Sequence, residues 1–209
     1  MNFYPDGLTP AQLQVLQMIA PFAAERQFYL GGGTALAIIL RHRRSLDLDW
    51  FTPERFADPM AFAQALRDVG ILFSTDQTAP GTLHGQVEGV RISFLEFRYP
   101  LLSPLALWQE TGAYLASLDD LACMKLSAIV QRGSKKDFYD VYALCRAHRP
   151  LEQMLELYQR KFSVTDISPV LYGLVYFDDA DEERDPFLLQ KIDWPQVKLA
   201  FRDWVKAIR

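Results

Sequence analysis

Apolar and polar positions along this chain keep two rhythms, a mixed strand-and-helix rhythm first and a purely helical one later. Thr9-Pro10 marks a helix start, and Leu13, Leu16, Ile19 and Ala20 recur at helical spacing until Pro21, which is expected to stop the run. A short apolar strand ending at Leu30 leads into a helix from Thr34 to about Arg41. Next comes a strand in which Asp47 and Asp49 alternate with Leu46, Leu48 and Trp50. Asp58-Pro59 opens a helix over residues 60–69 that Gly70 closes. Strand-like runs follow at residues 71–75, 83–87 and 90–97, and Glu88-Gly89 between the last two is a hairpin signal.

Between Tyr99-Pro100 and Thr111-Gly112 the strand pattern ends, and everything later reads as helix. Ser117-Leu118-Asp119-Asp120 is a capping-box pattern ahead of an apolar run to Val130, with Gly133 as its stop. Ser134 to Asp137 repeats the cap for a helix reaching about Ala147, and further helices are predicted at 151–160, 169–177 and 195–208. The acid-rich stretch from Asp178 to Asp185 reads as a solvated loop. The fold class is therefore α+β. A core with a mixed, partly antiparallel sheet occupies 1–110, and a helical lobe occupies 111–209.

Composition narrows the partners. At 209 residues and half hydrophobic, the chain can bury a full core. A net charge of -4 and a pI near 5.4 argue against tight non-specific DNA binding, so any nucleic-acid contact needs a local basic patch. Cys123 and Cys145 have neither disulfide nor zinc spacing, and His42, His84 and His148 lack metal-ligand spacing. The first residues lack a leader pattern, and no apolar run reaches membrane-spanning length. A cytoplasmic protein with no membrane partner is expected.

The chemistry concentrates in Phe28-Tyr29-Leu30-Gly31-Gly32-Gly33-Thr34 and Ser45-Leu46-Asp47-Leu48-Asp49-Trp50. Two carboxylates on one strand face, about 7 Å apart, repel each other, and a divalent cation is their simplest neutralising partner. Backbone N–H groups of a glycine turn and a helix N-terminus can hold phosphates beside that cation. A glycine turn alone is a common strand-to-helix connection, and an Asp-x-Asp strand is often a solvated edge. Their combination, with 13 residues from Thr34 to Leu46 between them, points to nucleotidyl transfer.

This arrangement resembles the signature of the DNA polymerase β-like nucleotidyltransferases. The string LGGGTALAIILRHRRSLDLDWFT, with DLACMKLSAIVQRGSKKDFYDVYAL and LVYFDDA, is similar to the AbiEii/AbiGii abortive-infection toxins of that superfamily. The resemblance implies a polymerase β-like core, an NTP substrate, Mg²⁺, an RNA acceptor such as a tRNA 3′ end, and a cognate antitoxin. It assigns nucleotide binding to Gly31, Gly32, Gly33, Thr34, Arg44 and Ser45, and metal binding to Asp47 and Asp49. Its second signature region falls on Lys125, Arg132, Asp137 and Asp140, with Lys125 and Asp137 joining Asp47 and Asp49 as catalytic candidates.

Lys125 is the one charge in an apolar helical stripe, which suits either a cation directed into a cleft or a stem that snorkels. Asp137 could equally cap its helix at N3, while Arg41 and His42 suit a helix C-terminus. Superfamily members commonly add a third carboxylate from a later strand. Here that strand offers Ser93 and Glu96 on opposite faces, and Glu96 is the nearby metal-ligand candidate. Two other readings stay open: a small-molecule, antibiotic-type nucleotidyltransferase, and a degenerate nucleotide- or partner-binding protein.

Overall fold

A computed structural model describes residues 2–208. After a single 3₁₀ turn at Pro5–Gly7 comes helix α1 (Pro10–Glu25), held at its start by a reciprocal cap. Thr9 Oγ1 accepts from Gln12 N at 3.2 Å while Gln12 Oε1 accepts from Thr9 N at 2.9 Å. The expected stop at Pro21 does not occur, and the helix continues to Glu25. Proline there removes one backbone bond and costs about 3 kcal/mol. Phe22 and Ala23 just beyond it extend the buried face of Leu16 and Ile19, and burying a Phe side chain alone returns about 1.5–3 kcal/mol.

Among the described residues the sheet has seven strands: β1 (Tyr29–Leu30), β2 (Leu48–Thr52), β3 (Ser74–Ala79), β4 (Thr82–Val87), β5 (Val90–Glu96), β6 (Ala106–Trp108) and β7 (Ala113–Leu115). Their order is β3-β4-β5-β2-β1-β7-β6, with β2 antiparallel to β1 and parallel to β5. Glu88 and Gly89 both take positive φ, 51° and 76°, which makes the β4–β5 hairpin turn that their sequence signals. Period-2 alternation then sorts β2. Leu48 and Trp50 face a core in which Phe28, Phe62 and Phe94 meet edge-on or tilted, while Asp49 and Phe51 face the other way.

Helix α2 (Gly32–Leu40) joins β1 to β2, and α3 (Pro59–Asp68) packs on the far side. The first predicted run of the three, 71–75, is displaced. Ile71 and Phe73 are buried anchors, and the strand proper is the polar, exposed edge β3. The boundary at 110/111 also shifts, because it would cut the β6–β7 hairpin. β7 pairs parallel with β1 through Leu30 and Leu115, so the sheet persists to Leu115. Strands of three residues are too short to display a period, which is why they were not legible.

The helical part comprises α4 (Leu118–Arg132), α5 (Lys135–Ala147), α6 (Leu151–Phe162), α7 (Ser168–Gly173), α8 (Asp178–Glu182) and α9 (Trp194–Ile208). Ser117 caps α4 through Asp120 N at 3.1 Å, and Gly133 closes it with a left-handed φ of 55°. The acid-rich stretch is solvent-exposed as expected, apart from Ala180, but it is not all loop. It forms α8, whose Asp181 pairs with Lys198, and then a strap in which Glu183 and Asp185 are bonded by Ser134, Lys135 and Tyr139. Tyr139 and Tyr142 pack against Trp194 and Trp204. No described helix is long and apolar enough to cross a membrane.

One buried ion pair locks α4 to α6 and to the loop after β5. Lys161 Nζ lies 2.7 Å from Asp120 Oδ1 and 2.8 Å from the Pro100 carbonyl, with both side chains wholly buried. Asp120 also accepts from Leu102 N and Ser117 Oγ, so its lone pairs are filled. Removing one partner strands a buried charge. Lys161→Met is expected to lower the unfolding free energy by about 3–5 kcal/mol, read by urea denaturation, and an unchanged midpoint would count against the lock.

Candidate active site

A cleft of about 910 Å³ lies between the Asp49 face of the sheet and helices α4 and α5. Its floor is the turn into α2. Gly31 N donates to the Asp49 carbonyl at 2.9 Å, which pins the glycine turn to β2. Gly32 has φ +62°, and a Cβ there would stand 2.8 Å from Asp49 Oδ2, so both conformation and space demand glycine. A Cβ on Gly33 would collide with the Arg43 guanidinium. Gly32, Gly33, Arg44 and Ser45 line the cleft, as the sequence suggested. Gly31 and Thr34 do not. Both are buried behind its wall, and Thr34 Oγ1 donates to the Asp47 carbonyl instead of reaching a ligand.

Asp47 and Asp49 share the cleft. Burial raises the Asp49 carboxyl above its ordinary range, the charge of Asp47 adds to this, and the polar Ser93 opposite it on β5 works against it. Arg91 Nε stands 2.7 Å from Asp47 Oδ1, but outside hydrogen-bonding geometry, so that buried oxygen has no donor among the described residues. Two mutually repelling carboxylates, one with an orphaned oxygen, form a donor set that fits a hard divalent cation.

Glu96 does not join them. The β2–β5 register sets Asp49 opposite Ser93 and Thr52 opposite Glu96, so Glu96 alternates away from the Asp49–Ser93 row although it still lines part of the cleft. Its Oε2 accepts from Phe56 N at 2.7 Å, and its Cβ packs against Gly81. Among the described residues, no group of three or more His, Cys, Asp or Glu is placed to hold a metal ion.

Lys125 does not snorkel. Its Nζ is buried between Asp137 Oδ1 at 2.9 Å and Asp140 Oδ2 at 2.7 Å. Asp140, wholly buried, also accepts from Arg43 Nε at 2.6 Å and Nη2 at 2.8 Å, and meets His42 Nε2 at 2.6 Å. Asp137 is not a cap, because Ser134 Oγ bonds Glu183 Oε2 and leaves the Asp137 carboxylate to Lys125 and Arg132. With both its oxygens so engaged, Asp137 positions cations; it does not face the cleft as a free carboxylate.

These partners hold Asp140 well below the usual carboxylate range, with Arg43 the largest favourable influence against the cost of burial, and they lower Asp137 as well. Arg132 keeps a side chain that is 53% exposed, so its guanidinium is oriented by Asp137 yet open to the cleft.

His42 and Arg43 are the residues that sequence reasoning missed. In Arg41-His42-Arg43-Arg44 nothing in residue type separates the buried from the exposed members. The left-handed φ of 52° at Arg41 does so by turning the chain inward. Arg41 itself stays outside and pairs with Asp6. Arg44 is exposed, with its guanidinium 4.4 Å from the centroid of the Phe187 ring. The strap after α8 reaches this segment through Arg44 N to the Phe187 carbonyl at 2.8 Å and Leu189 N to the His42 carbonyl at 2.9 Å. Seven cationic side chains line the cleft (Arg43, Arg44, Arg91, Lys125, Arg132, Lys136 and Arg184) against four carboxylates (Asp47, Asp49, Glu96 and Glu183). Acidic overall, the chain concentrates positive charge here.

A glycine turn, a carboxylate pair and a ring of cations on this mixed sheet define the nucleotidyltransferase class. The family model described as "Nucleotidyl transferase AbiEii toxin, Type IV TA system" matches residues 102–205. An uncharacterised protein of Aquifex aeolicus (strain VF5) is 37% identical over 203 residues, covering 95% of this chain and 96% of its own. Among solved structures, MenT4, a nucleotidyltransferase toxin from Mycobacterium tuberculosis H37Rv, aligns at a TM-score of 0.62 and 14% identity, over 93% of this chain and 82% of that one. A nucleotidyltransferase structure from H. pylori aligns at 0.58 and 18%, over 96% of each chain. ANT(2")-Ia, in complex with adenylyl-2"-tobramycin, aligns at 0.55 and 12%, over 73% and 98%. The chain belongs to the AbiEii nucleotidyltransferase toxin family.

The two pKa directions make opposite predictions for stability. Asp140, lowered in the fold, contributes stability that is present above the unfolded value of about 4 and lost as pH falls through its lower folded value. Asp140→Asn is therefore expected to destabilise at pH 7, with the gap to wild type closing in acid. Asp49, raised in the fold, costs stability once it ionises. Asp49→Asn should melt higher than wild type at pH 7 without divalent ions, and equal to it below about pH 4. Thermal melts from pH 2 to 8 check both signs.

Proposed function

We propose that the protein transfers a nucleoside monophosphate from an NTP to a hydroxyl of an RNA acceptor, with release of pyrophosphate, and that it acts as a toxin held by a cognate antitoxin. The observation that carries this reading is the Asp47/Asp49 pair set in a cleft lined mostly by cations. Mg²⁺ bound by Asp47 and Asp49 would supply Lewis-acid stabilisation of charge on the α-phosphate and on the departing pyrophosphate. Backbone N–H groups at Gly32 and Gly33 open α2 toward the triphosphate. Arg132, aimed by Asp137, adds a forked donor, and Lys125 fixes both Asp137 and Asp140 so that this aim is kept.

The charge of the cleft also favours the RNA reading over the antibiotic one. Once a cation neutralises Asp47 and Asp49, a polycationic acceptor meets mainly arginine and lysine, whereas a polyanion is attracted. The tRNA 3′ end as the particular acceptor, and the antitoxin, rest on the family resemblance. MenT4, also a nucleotidyltransferase toxin, supports the same role.

Purified protein incubated with labelled NTP, Mg²⁺ and bulk RNA should label the RNA, and EDTA should abolish the signal. Asp47→Ala should lower the rate on the order of 10³-fold while the protein remains folded. Near wild-type turnover in that variant would sink the metal assignment, and label on an aminoglycoside but not on RNA would favour the small-molecule reading. Arg132→Met should cost activity with little change in melting temperature. Lys125→Met should lower both, because it strips two buried carboxylates of a countercharge.

A further inference from the structure

The transfer proposed above requires a base for the acceptor hydroxyl's proton, and most groups lining the cleft are already committed. Asp47 and Asp49 suit the cation, Glu96 is bonded to Phe56 N, and Glu183 holds Ser134 Oγ and Lys135 N. Lys125, Lys136 and the arginines are cations that have no lone pair to offer. His84 is the remaining base among the described residues lining the cleft.

Its setting is more specific than elimination alone. The sheet register places Asp49 opposite Ser93, and Ser93 opposite His84, so three side chains form one row across β2, β5 and β4. Ser93 stands directly opposite Asp49, whose ionised form it favours, and His84 Nδ1 lies 3.0 Å from Ser93 Oγ. An ionised Asp49 can only accept, so a Ser93 hydroxyl turned toward it spends its one proton there. Ser93 Oγ then accepts from His84, which puts the imidazole proton on Nδ1. Nε2 is left with its lone pair, and it has no hydrogen-bond partner among the described residues. The row therefore selects one tautomer and orients one ring.

We propose that His84 is the general base of the transfer, positioned by Ser93; this rests on the nucleotidyltransferase reading above. The acceptor oxygen forms a bond to the α-phosphorus, and its proton passes to His84 Nε2. The bond from the α-phosphorus to the bridging oxygen of pyrophosphate breaks, with the electron pair leaving on pyrophosphate. The imidazolium then returns its proton to water once the products depart.

The test measures RNA labelling with His84→Gln, His84→Ala and Ser93→Ala. His84→Gln and His84→Ala should lower kcat about 10²-fold or more, with the KM for NTP and the melting shift induced by Mg²⁺ and NTP both retained. Free imidazole should restore part of the His84→Ala rate, which a merely structural role would not produce. Ser93→Ala should give a smaller loss that imidazole does not repair. A kcat within about twofold of wild type in both His84 variants overturns the proposal and leaves the nucleotidyltransferase reading intact. So does a loss that removes the NTP-induced melting shift and resists imidazole. Wild-type protein that labels no RNA overturns the RNA reading, and the proposal falls with it.

Discussion

Removing a carboxylate from water costs several kcal/mol, and at Asp140 the compensation comes from elements that are far apart in sequence. Arg43, which donates two bonds, and His42 belong to the segment between α2 and β2, and Lys125 comes from α4. Asp140 itself stands on α5. The helical half cannot move away from the glycine turn without stranding a charge that has no access to solvent. The width of the cleft is thereby set electrostatically, and the cation Arg132 is carried into place by Asp137, one turn earlier on the same helix.

Two pairs of aspartates thus sit close together with opposite fates. Asp137 and Asp140 have more positive partners than they need, and their acidity is strengthened. Asp49 is desolvated beside Asp47 and its acidity is weakened, so ionising the pair costs stability that a bound cation would relieve. Environment alone divides four chemically identical side chains into a frame and a site.

Much of this was legible in the sequence because local rules dominate it. The alternation of Asp47 and Asp49 with Leu48 and Trp50, the Glu88-Gly89 turn, and the Ser117 cap with its Gly133 stop each follow from one residue's neighbours. The Asp47/Asp49 face, Lys125 and Asp137 were read together and do meet at the cleft, although Asp137 meets it through the cations it holds. What sequence could not show depends on distant partners. Pro21 is tolerated because Phe22 beyond it is buried, and β7 exists because Leu30 offers an open edge. Arg43 outranks Arg44 only because Asp140 lies nearly a hundred residues away in a facing helix, and Glu96 is lost to the site through the β2–β5 register.

The strap from Glu183 to Gln190 also has a bearing on synthesis. Every residue of the Asp140 network precedes Tyr142, so the side chains that frame the cleft are all made before the strap. His42, Arg43 and Arg44 still lack their backbone partners at that point. The Phe187 carbonyl, the Leu188 bridge and the Leu189 N–H arrive only with the late-emerging strap. A growing chain can hold the motifs and remain unfinished as a site until the strap has been made and has docked.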